Sequence, residues 1–163
     1  PPTLDFHPLL TCSVYTIRQD MTTYRVVKRV FFSYGHRLLD YAGKCAHLHG
    51  HNAKVEVVLA ARDLDARGML WDFGEIAGRL EGFVKEHLDH RMLLRRDDPL
   101  VSLLSSAGEP VVPLDFNPTA ENLARFLFEA ARDHGLPVVS IRFWESPNSC
   151  AEYTSEGPAP SSP

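Results

Sequence analysis

Residues 51–61, HNAKVEVVLAA, alternate: Ala53, Val55, Val57 and Leu59 fall on one side, Asn52, Lys54 and Glu56 on the other. Successive strand side chains point to opposite faces, so this period of two specifies a strand with one buried face. Such a strand is not stable alone. It needs neighbours along its edges and a layer over its apolar side. Residues 24–34, YRVVKRVFFSY, are β-branched and aromatic with charges between, and read as the preceding strand. Residues 37–48, with Asp40, Gly43 and Lys44, read as the loop joining the two.

The covering layer follows in the chain. Asp72 stands at an N-cap position with Glu75 three residues on, and Ile76, Leu80, Phe83, Val84 and His87 recur at helical spacing, which predicts a helix over 73–87. Residues 95–117, rich in Asp, Pro and Gly, read as a long connection. Thr119 caps a second helix over 120–134, with Leu123, Phe126, Leu127 and Ala130 as its apolar stripe and Gly135 as its stop. Residues 137–146 (PVVSIRFWES) and 150–154 (CAEYT) read as a closing hairpin around Pro147-Asn148. The order is ββααββ, an α+β layer: a four-stranded antiparallel sheet with two helices on one face. This domain is expected over 23–154. Residues 1–22 are expected to be an N-terminal extension, with Met21 just ahead of the first strand. Residues 155–163 (SEGPAPSSP) are expected to be a disordered tail.

Composition narrows the function. A net charge of −4 argues against a nucleic-acid binder working through bulk positive charge. No apolar run approaches the roughly 20 residues that cross a bilayer, and no basic-then-apolar leader is seen, so the expected location is the cytoplasm. Three cysteines (Cys12, Cys45 and Cys150) are too few for a disulfide scaffold.

Chemistry concentrates in residues 44–52, KCAHLHGHN. His49 and His51 are two apart, so on a strand both rings face one way. His36, ending FFSYGH, can supply a third imidazole from the neighbouring strand. Three neutral imidazoles leave one corner of a tetrahedral zinc open, which is the catalytic pattern, able to polarise a hydroxyl or carbonyl. The plainer alternative is a set of solvated surface histidines. His47, read as part of the loop, is left out of the set. Cys45 is either a buried thiol or, beside Lys44 and a metal, a reactive one. His90, next to Asp89, is either a helix C-terminal cap or an acid/base group steered by a carboxylate. Glu145, ending a strand, is either solvated or placed to accept paired N–H bonds from the amino-pyrimidinone edge of a pterin or guanine.

These segments in order (FFSYGHRL, C-x3-HGHN, GMLWDF, LDH, NPTAENLA and WES) resemble the 6-pyruvoyltetrahydropterin synthase / 6-carboxytetrahydropterin synthase family over about residues 24–154. The resemblance implies a tunnelling fold whose trimers form a barrel and stack as a homo-hexamer with sites at subunit interfaces. It implies zinc on His36, His49 and His51, with Cys45 as the base. Asp89 and His90 would be its partners, supplied across a subunit boundary. Glu145 would hold the pterin ring, with Thr119 near the pterin pocket. Cys45 stands four residues before His49, as in carboxy-forming members. The implied reaction is therefore 7,8-dihydroneopterin triphosphate to 6-carboxytetrahydropterin, acetaldehyde and triphosphate. The alternatives are the pyruvoyl-forming, triphosphate-eliminating reaction or a non-catalytic metal- or pterin-binding relative. The chain departs from the family pattern at Leu94, where Asn is usual. It has no phosphate-cradling loop motif; Lys28, Arg29 and Arg37 are the candidate cations for the triphosphate, or ordinary solvated side chains.

Overall fold

A computed structural model describes residues 23–154. The expected extension over 1–22 with Met21, the expected tail over 155–163 and Cys12 lie outside the described residues. Strand β1 (Tyr24–His36) runs antiparallel to β2 (His49–Ala61) in unbroken register from Tyr24↔Ala61 to His36↔His49. Both strands run further toward the loop than the alternation alone predicts, so the three histidines lie within the ladder itself. Alternation holds along it: Val30, Phe32, Tyr34 and His36 of β1 and Ala53, Val55, Val57 and Leu59 of β2 point inward.

The inward face is covered by two helices. The first, α1, occupies residues 73–87. Asp72 caps it through the Gly74 N–H at 2.7 Å rather than by a reciprocal bond with Glu75. Its middle, Ala77–Glu81, is a π-helical stretch in which the Gly82 N–H reaches back to the Ala77 carbonyl. The wider turn still delivers Ile76, Leu80 and Val84 to the core. After a two-strand excursion described next, the chain forms α3 (Ala120–Asp133), capped by Thr119. It buries Leu123, Ala124, Leu127, Phe128, Ala130 and Ala131, while Phe126 of the expected stripe is only partly buried. Each fully buried Leu contributes roughly 1.5–3 kcal/mol. Gly135, at φ 74°, ends the helix.

The sheet has two more strands than the sequence pattern predicts. The connection expected over 95–117 is not bare: β3 (Arg91–Arg95) ends at its start, and a helix α2 (Pro99–Ser106) and β4 (Val111–Leu114) lie within it. With β5 (Val138–Ser146) and β6 (Ser149–Thr154) the order is β4-β3-β1-β2-β5-β6. The sheet is therefore mixed, because β3 runs parallel to β1 and β4 parallel to β3. Both added strands are short and pair only with distant segments, so local pattern does not announce them. Leu94 is fully buried on β3. The face away from the helices carries an in-register row of alternating charge, Arg29, Glu56, Arg142 and Glu152, across four strands. None of the helices among the described residues is long and apolar enough to cross a membrane.

Candidate metal centre

Register builds the centre. His36 and His49 are direct cross-strand partners, and Tyr34 faces His51 one inward position further along. The three rings stand 4.4–5.1 Å apart between centroids. One nitrogen from each lies within 4.8 Å of the others. Tetrahedral bonds of about 2.0–2.1 Å would set donor pairs roughly 3.3 Å apart, a value that lies between the closest pair here and the outer limit.

Two backbone carbonyls orient the rings. The His36 Nδ1–H donates to the Pro118 carbonyl at 2.8 Å, and the His49 Nδ1–H donates to the His47 carbonyl at 2.8 Å. With Nδ1 protonated in each, both Nε2 atoms carry lone pairs, and these face each other at 3.0 Å. Two facing lone pairs repel unless a cation lies between them. His36 is buried, and burial, helped by the neighbouring His49 and His51 rings, pushes it toward its neutral form against the pull of Pro118 and Glu145. His36 and His49 are oriented by outer hydrogen bonds as metal-ligating histidines are, and three imidazole nitrogens gathered this closely fit a divalent cation.

Glu145 stands beside the trio, its Oε1 3.9 Å from His36 Nε2. The buried Tyr34 hydroxyl donates to the same oxygen at 2.9 Å. Burial and the adjacent carboxylate push that phenol well above its ordinary pKa, so it stays a donor. Tyr34, His47 and Pro118 were missed by sequence reasoning. For Tyr34 a signal existed, since it sits on the inward phase two residues before His36. The other two act through carbonyls, for which side-chain identity gives no signal.

His36, Cys45, Thr119 and Glu145 line one cavity of about 280 Å³. Cys45 sits in a 3-10 turn, Lys44–Ala46, and is half-buried. The structure does not bring Asp89 and His90 to it. His90 instead lines a different cavity, about 560 Å³, with Ser33, Arg91, Met92 and Leu104. It is no helix cap: it follows the end of α1 in left-handed conformation, φ 56°, with its side chain 80% exposed. The pair is clamped to β1, since Asp89 Oδ1 accepts the Ser33 N–H at 2.9 Å and the His90 N–H donates to the Ser33 carbonyl at 2.7 Å. His90 Nδ1 lies 3.0 Å from Asp89 Oδ1. Burial works against ionisation of Asp89, but the Ser33 N–H and the His90 ring hold its carboxyl below the usual range. Of the candidate phosphate cations, Arg37 is engaged by Asp98 and Arg29 by Glu56.

The model of the family described as 6-pyruvoyl tetrahydropterin synthase matches residues 25–156. A 6-carboxy-5,6,7,8-tetrahydropterin synthase of Rickettsia bellii is 35% identical over 138 residues, covering 78% of this chain and 98% of the relative. Its namesake from Haemophilus influenzae is 31% identical over 139 residues, covering 80% and 98%. Among solved structures, an uncharacterized protein from Wolinella succinogenes matches with a TM-score of 0.73 at 30% identity, covering 83% of this chain and 99% of that one. The 6-pyruvoyl tetrahydropterin synthase of Caenorhabditis elegans matches at 0.62 with 22% identity over 83% and 97%, a likeness of fold alone.

Proposed function

The chain belongs to the 6-pyruvoyl tetrahydropterin synthase family and has its tunnelling fold, and we propose that it is a 6-carboxy-5,6,7,8-tetrahydropterin synthase. The proposed reaction takes 7,8-dihydroneopterin triphosphate and one water to 6-carboxytetrahydropterin, acetaldehyde and triphosphate. The observation that carries the reading is the shared cavity of His36, Cys45, Thr119 and Glu145. The printed names of the relatives favour the carboxy-forming branch.

In this reading His36, His49 and His51 hold zinc, suited to three neutral nitrogens with a corner left open. The ion supplies Lewis acidity to the hydroxyls of the substrate side chain. Cys45 takes and returns protons on that side chain. Glu145, steadied by the Tyr34 hydroxyl, accepts the paired N–H groups of the pterin, and Thr119 borders the ring. Asp89 and His90 serve the thiol of a neighbouring subunit, consistent with their standing on a different cavity from the Cys45 of their own chain. The working form is then a homo-oligomer, a hexamer of two stacked trimers.

Incubation with dihydroneopterin triphosphate, followed by mass spectrometry, tests the reaction. Carboxytetrahydropterin with acetaldehyde is expected; pyruvoyltetrahydropterin without acetaldehyde would assign the other branch, and no turnover would leave a binding role. Mixing inactive Cys45→Ala and His90→Ala subunits tests the assembly, since shared sites predict partial recovery of activity.

A further inference from the structure

The loop from His36 to His49 carries Cys45, and several tethers hold it. The Leu38 N–H donates to the Cys45 carbonyl at 2.8 Å, closing the loop on itself. Arg37 pairs with Asp98, and Asp40, at φ 59°, accepts from Arg95 at 2.6 Å. These two tethers act through side-chain tips. The fourth acts on the backbone: the Leu39 N–H donates to Asn117 Oδ1 at 2.9 Å, and Asn117 Nδ2 donates to the Leu39 carbonyl at 2.9 Å.

Leu39 lies past the end of β1, where the ladder no longer supplies partners. A carboxamide offers one acceptor and one donor side by side, so Asn117 stands in for a missing strand neighbour. Aspartate would set two acceptors against a carbonyl, and serine would offer a single group. The Asn117 backbone is itself held, its carbonyl accepting from the Thr119 N–H at 2.8 Å and from Asn122 Nδ2 at 3.0 Å. The next residue, buried Pro118, orients His36. The one after, Thr119, caps α3 and borders the Cys45 cavity. One tripeptide thus touches a histidine of the trio, the thiol loop and the cavity rim.

We infer that Asn117 is a positioning residue: through its paired bonds to Leu39 it fixes where the Cys45 thiol stands relative to the histidine trio. The inference rests on the reading that thiol and trio act on one substrate. A displacement of about 1 Å between reacting groups can cost a hundredfold in rate, so the position of Leu39 should register in turnover rather than in binding.

The test uses the full chain with Asn117→Ala and Asn117→Asp, and Asp40→Ala as comparator. Asp40 tethers the same loop, but its side chain is 75% exposed. Site-resolved mass spectrometry follows alkylation of Cys45 by iodoacetamide in cobalt-loaded protein. Both Asn117 variants are expected to bind cobalt with the parent absorption bands, to change the Cys45 alkylation rate at least about five-fold, and to lose about 100-fold in kcat with KM within about two-fold. Asp40→Ala should leave the alkylation rate and kcat within about two-fold. Parent-like Cys45 alkylation in a folded Asn117 variant, or equal effects in Asp40→Ala, would overturn the inference. Hydrogen exchange in the unaltered protein reads the same clamp without a variant. The Leu39 amide is expected to exchange more slowly than that of Ala42, and unprotected exchange would also overturn it. Alkylation and exchange need no substrate, so an inactive parent protein would refute the functional reading while leaving the clamp separately testable.

Discussion

Replacing Asp98 by Asn tests how strongly the segment after His36 is anchored. The Asp98 side chain is fully buried (0% exposed). It accepts from Arg37 Nε at 2.7 Å and from the second Arg37 nitrogen at 2.5 Å, and it caps α2 through the Leu100 N–H at 2.8 Å. The Arg37 bonds hold its carboxyl below the usual carboxylate range, against burial and with help from Leu100. An unfolded Asp titrates near 3.9. The stability from this ionised group is therefore fully present above that value and is lost as pH falls through the lower, folded pKa. Asn can still cap the helix, but it presents an NH2 to the guanidinium and loses the charge. Bonds to charged groups contribute about 1.5–3 kcal/mol net, and the donor–donor clash adds to the loss, so Asp98→Asn should cost roughly 2–4 kcal/mol at pH 7. For a domain of this length that is a fall in Tm of roughly 8–16 °C. Circular dichroism melts of chelator-treated protein, at fixed protein concentration from pH 7 down to pH 3.5, measure it. The gap between parent and variant should narrow below about pH 4. A fall below about 2 °C at pH 7, or a gap that acid leaves unchanged, would refute the reasoning.

Chelation should lower the Tm of the parent protein, and His49→Ala should abolish that difference along with bound zinc measured by metal analysis. Tyr34→Phe removes the hydroxyl bond to Glu145 and should cost about 1.5–3 kcal/mol by urea unfolding, while raising KM for the pterin more than it lowers kcat. Glu56→Gln leaves Arg29, Lys54 and Arg142 facing a neutral partner. It should destabilise by about 1 kcal/mol, with a larger deficit at low salt than at high salt in the same assay.

The two long strands and two covering helices were legible because their apolar period is local: Val55, Val57 and Leu59 mark β2, and Leu123 and Leu127 mark α3. Strands β3 and β4 were not. RMLLR and VVPL are too short to show alternation, Pro113 argues against a strand, and their parallel partners lie far away in the chain. The histidines were legible as residue types at strand spacing. The groups that orient them were not, because the carbonyls of His47 and Pro118 belong to the backbone, which every residue carries. Asn117 was visible only as part of a helix-entry motif; its grip on Leu39 depends on where the fold sets the end of β1.

The direct pairing of His36 with His49 ties the trio to strand alignment. Sliding one strand by a single residue would turn one partner's ring outward and scatter the trio. The cross-strand alignment that packs Val30 against Val55 in the core is thus the same one that sets the spacing of the three nitrogens, so the core and the candidate centre stand or fall on one ladder.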